Sequence, residues 1–99
     1  MDSRVTDTIR KYFRTQPIQK AWVFGSFSRD EEQPNSDIDL LVQYDRANYR
    51  VGLFTIIRIK QQLQEMLGRE IDLVEEGTLL PFAIESANHD KILIYERGN

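Results

Sequence analysis

Two β-rich runs, DIDLLVQY (37–44) and REIDLVEE (69–76), enclose a long amphipathic stretch, and that arrangement narrows the folds open to this chain. Over residues 49–67, Ile56, Ile59, Leu63, Met66 and Leu67 recur at i, i+3, i+7, i+10 and i+11, one apolar stripe of a helix. Gly68 is placed to end it. A helix of this length is a crossover rather than a hairpin turn. The two flanking strands are therefore expected to run parallel, joined by a right-handed connection.

The rest of the chain supplies the partners. Val5, Ile9, Tyr12 and Phe13 mark a helix over 3–14 that Asp2 or Ser3 could cap, and Pro17 breaks the pattern. KAWVF (20–24) is a strand ending at Gly25, and residues 30–36, with Pro34 and Asn35, are a loop. Strands one and two are joined by a short excursion and are expected to be antiparallel. A helix over 78–87 tolerates Pro81 in its first turn, and ILIYE (92–96) closes the chain as a strand. The order α-β-β-α-β-α-β predicts an α/β (α+β) fold, a small mixed sheet of about four strands with helices against it. At 99 residues this is expected to be one domain over 1–99.

Composition removes several functions. There is no cysteine, which excludes disulfides, thiol catalysis and cysteine metal sites. Asp and Glu number 16 against 13 Lys and Arg, which argues against nucleic acid as a direct ligand. The polar start MDSRVTDTIR and the lack of any apolar run near ~20 residues predict a soluble, cytoplasmic protein with no membrane partner.

Within strand 37–44, alternation places Ile38, Leu40, Val42 and Tyr44 on one face and Asp37, Asp39 and Leu41 on the other. Two carboxylates spaced by two residues lie roughly 7 Å apart along a strand. Unpaired, they repel and lose hydration; a magnesium ion between them offsets both penalties and keeps positions for water and phosphate oxygens. Gly25 follows a strand and lets backbone approach a ligand, Ser26 offers a hydroxyl, and Arg29 lies one helical turn on, the ingredients of a phosphate cradle. Asp72 is a third acid in an apolar strand, placed to join Asp37 and Asp39 if the strands are neighbours. His89, the lone histidine, reads as an exposed turn residue.

GSFSR followed by SDIDLLV, then EIDLV after a helix, resembles the GS…DxD…D signature of polymerase-beta-type nucleotidyltransferases, in their minimal, single-domain (MNT), antitoxin-like branch. Asp30 follows Arg29 where many relatives have glycine, and Glu31 and Glu32 extend the acidity. The resemblance implies transfer of a nucleoside monophosphate, AMP from ATP, to a hydroxyl with release of pyrophosphate. It implies one or two Mg2+ ions held by Asp37, Asp39 and Asp72, with Asp72 also accepting the proton of the attacking hydroxyl. Gly25, Ser26 and Arg29 would hold the nucleoside triphosphate. Such chains commonly pair as antitoxins with a HEPN-domain toxin, in some cases adenylylating its tyrosine. Val51, Phe54 and Ile57, off the main helical stripe, are the candidate contacts for a partner. A non-catalytic module that masks its partner remains an alternative. So does a small-molecule, antibiotic-type nucleotidyltransferase whose acceptor site an oligomer completes.

Overall fold

The runs that alternate in sequence become strands in space. A computed structural model describes residues 2–25, 37–77 and 91–98. Its elements are α1 (Ser3–Phe13), β1 (Ile18–Phe24), β2 (Ile38–Tyr44), α2 (Leu53–Leu67), β3 (Ile71–Glu75) and β4 (Ile92–Glu96). The sheet has the order β3-β2-β1-β4. β2 and β3 run parallel across the α2 crossover, and β1 is antiparallel to both of its neighbours. The predicted helix over 78–87, the loop 30–36, Ser26, Arg29 and His89 lie outside the described residues.

Both helices cover one face. Ile9 and Phe13 of α1 and Ile59 and Leu63 of α2 are buried in one cluster with Ala21 and Val23 of β1 and Ile38, Leu40 and Val42 of β2. Ile71 of β3 and Ile94 of β4 complete it. Each fully buried aliphatic or aromatic side chain contributes about 1.5–3 kcal/mol of transfer free energy. The helix ends are closed locally. Asp2 caps α1, its Oδ1 accepting from the Arg4 N–H at 2.9 Å. Gly68 ends α2 in the left-handed region (φ 64°), its N–H donating to the Gln64 carbonyl at 2.8 Å.

Four sequence expectations shift. α2 begins at Leu53 rather than 49, because residues 45–51 are engaged otherwise. The Asp45 N–H donates to the Pro17 carbonyl at 2.9 Å, and Asn48 Nδ2 donates to both Asp45 carboxylate oxygens at 3.1 Å. Arg46 grips Glu75 with two 2.9 Å bonds and donates to the Val51 carbonyl at 2.7 Å. Val51 consequently drops into the core and is not a surface contact; Leu53 stands exposed beside Phe54 and Ile57 instead. Met66, counted on the buried stripe, is exposed, so Ile56, Ile59, Leu63 and Leu67 form the packed face alone. β1 starts at Ile18, directly after Pro17, a position where a proline needs no ladder donor.

Candidate functional site

Because the helices take one face of the sheet, the alternate residues of β2 and β3 face the other way. Strand β2 pairs with β3 in the register Ile38↔Ile71, Asp39↔Asp72, Leu40↔Leu73. The buried isoleucines and leucines set that register, since a one-residue slip would turn every apolar side chain outward. Asp39 and Asp72 are thereby made direct neighbours on the face away from α1 and α2. β1 brings its end to the same place, Phe24 pairing with Asp39.

The electrostatics follow from this placement. The Asp39 carboxyl is raised from its ordinary 3.8 to about 6. Burial is the largest cause, followed by a hydrogen bond with Asp72, the Asp72 charge and the Asp37 charge. Both of the other sequence-predicted acids therefore act on Asp39. Asp37 and Asp72 are exposed and Asp39 is half-buried, so the group opens to solvent rather than sitting sealed in the core. Among the described residues, no group of three acidic or histidine side chains is arranged to hold a metal ion as it stands. Asp39 and Asp72 are the pair that meet.

Gly25 closes the other side. It adopts φ 75°, and a Cβ there would lie 2.5 Å from Asp39 Oδ2. The sequence assigns this glycine to ligand approach; its nearest neighbour in that direction is the carboxylate itself. Only glycine suits a position that is both left-handed and packed against an oxygen. Ser26 and Arg29 lie outside the described residues, so their placement beside Gly25 rests on sequence adjacency.

Two features at this end were not singled out from sequence. A cavity lined by Gln64, Gly68, Arg69 and Glu70 opens where α2 turns into β3, and the Glu70 carbonyl accepts from the Ile38 N–H at 3.0 Å. Lys91, just ahead of β4, holds its ammonium 4.7 Å from the Trp22 ring centroid. The lysine carries no motif that could have marked it. Its position follows only from the antiparallel pairing of β4 with β1.

Two adjacent carboxylates that make no ion pair among the described residues are a donor set that magnesium takes, usually with waters and substrate phosphates. Burial first, and then the hydrogen bond and charge of Asp72 and the charge of Asp37, raise the Asp39 pKa, so a bound cation would favour its ionised form. The residues present fit such an ion.

Comparison with known proteins places this geometry. A Methanocaldococcus jannaschii chain named as a candidate protein adenylyltransferase is 34% identical over 64 residues, covering 65% of this chain and 66% of that one. The protein adenylyltransferase MntA of Thermococcus cleftensis is 32% identical over 62 residues, covering 63% of this chain and 60% of its own length. Both alignments thus span less than two thirds of the relative. Among solved structures, a chain of a toxin–antitoxin complex with AMP-PNP superposes with a TM-score of 0.76 at 21% identity, over 93% of this chain and 73% of that one. A chain from the tri-AMPylated Shewanella oneidensis HEPN toxin in complex with MNT antitoxin gives 0.72 at 19%, over 98% and 74%. At those identities the likeness is one of fold. The family described as polymerase beta, nucleotidyltransferase matches residues 7–99, a span that takes in every strand, α2 and the three acids. This chain belongs to the polymerase-beta nucleotidyltransferase family.

Proposed function

We propose that this chain is a metal-dependent nucleotidyltransferase, a single domain over 1–99. It transfers AMP from ATP to a tyrosine hydroxyl of a HEPN-type toxin partner in the cytoplasm, and so acts as the antitoxin. The observation that carries this reading is the meeting of Asp39 with Asp72 on adjacent parallel strands, against Gly25. Two supports come from outside the chain: the name of its Thermococcus cleftensis relative, and the AMPylated HEPN toxin bound to the fold-alike MNT antitoxin.

In this mechanism Asp37, Asp39 and Asp72 hold magnesium, which when bound neutralises the triphosphate and favours in-line displacement at the α-phosphorus. Asp72, the exposed member of the touching pair, accepts the proton of the attacking hydroxyl. Backbone at Gly25 and the side chains of Ser26 and Arg29 hold the outer phosphates that leave as pyrophosphate. The bond from the acceptor tyrosine oxygen to the α-phosphorus forms as the bond from that phosphorus to the pyrophosphate oxygen breaks, so one AMP moves per ATP consumed.

The test is incubation of the purified chain with Mg-ATP and a HEPN-type candidate partner. Intact-mass analysis should show AMP added to that partner, with the addition lost in Asp39→Asn. Unmodified partner in the presence of folded chain, magnesium and ATP would sink the catalytic reading. A second reading, pure masking, is favoured by one observation: Leu53 and Phe54 are 69% and 86% exposed, beside exposed Ile57. Under masking, Asp39→Asn would still neutralise the toxin in cells.

A further inference from the structure

At the end of the sheet away from the acids, the turn after α1, the segment after β2, the first turns of α2 and the residue after β4 surround a cavity of about 370 Å³. Arg14, Arg50, Arg58 and Arg97 line it, and none of the lining residues is acidic. Four guanidiniums around one cavity are unexpected in a chain of net charge −3, because each raises the energy of the others.

The contacts that hold them do not cancel that charge. Arg97 donates through Nε to the Ile18 carbonyl at 3.1 Å and through Nη2 to the Gln16 carbonyl. Its guanidinium also lies 5.8 Å from the Tyr49 ring centroid. Arg58 donates through Nη2 to Gln16 Oε1 at 3.4 Å. These partners are neutral; they aim the side chains and leave the positive charge in place. Arg14 and Arg50 are exposed, and neither side chain makes an ion pair or hydrogen bond among the described residues.

We infer that this cavity is a second anion site, taking a ligand of nucleotide size that carries at least two phosphate groups. The volume is at the lower end of the ~300–1,000 Å³ range of small-ligand pockets. Guanidinium forks match phosphate oxygens, and two phosphates bring roughly −3 to −4 of charge to four arginines. The half-exposed Tyr49 ring beside Arg97 offers a flat apolar surface for the rest of the ligand. β2 alone carries the chain roughly 20 Å from the acids to this end, so the two sites serve separate ligands. A bounded cavity, in an acidic chain, suits a small phosphorylated compound better than a nucleic-acid backbone.

Calorimetry and NMR titration of the full chain with pyrophosphate and with ADP, in chelator, test this. Saturable binding is expected, with shifts at Arg50, Arg58 and Tyr49. Affinity should fall at least tenfold in the Arg14→Gln/Arg50→Gln double variant, stay within twofold in Asp39→Asn, and fall severalfold in Arg50→Gln alone should the double variant misfold. Partner adenylylation should be unchanged in Arg50→Gln. Undiminished ADP binding in a folded arginine variant, or binding lost in Asp39→Asn, overturns the assignment. An RNA oligonucleotide bound more tightly than ADP, with affinity growing with length, overturns it in favour of a nucleic-acid surface.

Discussion

The two ends of this small sheet carry opposite charge, and they are assembled by different means. At one end the carboxylates of Asp39 and Asp72 are placed by strand register, and Gly25 is pressed against them by backbone. At the other, four arginines from four segments are gathered by loop closure, two of them steered by Gln16 and the Ile18 carbonyl. Geometry built into a ladder is stiff, and side chains on the sheet face have little room to relax. Geometry built from long side chains is adjustable. The difference suits a rigid reaction centre at one end and an adaptable binding cavity at the other.

The largest expected effect breaks one end and spares the other. Asp39→Asn should cut AMP transfer by at least ~100-fold, the scale of losing a charged group that organises the transition state. Its fold should be retained, since the change relieves repulsion with Asp72 and Asp37. Residual transfer near the normal rate, measured by pyrophosphate release, would remove Asp39 from the centre.

Next is the exposed surface at the start of α2, beside the arginine end. Phe54 is 86% exposed, and burying such an aromatic in an interface contributes on the order of 2 kcal/mol. Phe54→Asp should weaken the proposed complex with a HEPN-type partner more than tenfold in a pull-down or by interferometry, with the melting temperature of the isolated chain unchanged. A preserved complex would place the partner elsewhere.

Gly25→Ala sharpens the contrast in stiffness. The added methyl would sit 2.5 Å from Asp39 Oδ2 at a positive φ, so a loss of about 1–3 kcal/mol is expected in chemical denaturation. Gly77 also has a positive φ (93°), but among the described residues no atom lies within 4 Å of a Cβ placed there, and Gly77→Ala should cost less. Equal losses would show that strain alone, not the carboxylate contact, governs Gly25.

The smallest expected effect is a pH dependence confined to the acid end. Asp39 titrates near 6 folded against an ordinary 3.8, so the folded state binds its proton more tightly. That contribution to stability is complete below about 3.8 and is lost as pH rises through about 6. In chelator the melting temperature should therefore decline slightly between about pH 4 and about pH 6, and magnesium or Asp39→Asn should flatten the decline. A slope of the same size in Asp39→Asn would assign it to other groups.

The acid end was readable in the sequence because its residues sit on short, regular elements. Alternation put Asp37 and Asp39 opposite Ile38 and Leu40, and the crossover helix made β3 the parallel neighbour that delivers Asp72. What could not be read were contacts closed by tertiary structure. Val51 falls in helical phase with Phe54, yet the Arg46 clamp on Glu75 and on the Val51 carbonyl starts the helix later and buries Val51. Met66 keeps the periodicity of the stripe but stands exposed. The arginine cavity had no signature at all, since Arg14, Arg50, Arg58 and Arg97 are spread along the chain and meet only after the sheet closes.

The shared register of β2 and β3 has one more consequence. Ile38 aligned with Ile71 and Asp39 aligned with Asp72 are one alignment, not two. A chain that pairs these strands one residue out of step would point Asp72 into the oily layer and Ile71 into water. Such a molecule is sticky and short-lived, and cellular clearance would remove it before it met a nucleotide. Misassembly and loss of the acid pair are therefore a single event here, and solubility itself proofreads the proposed reaction centre.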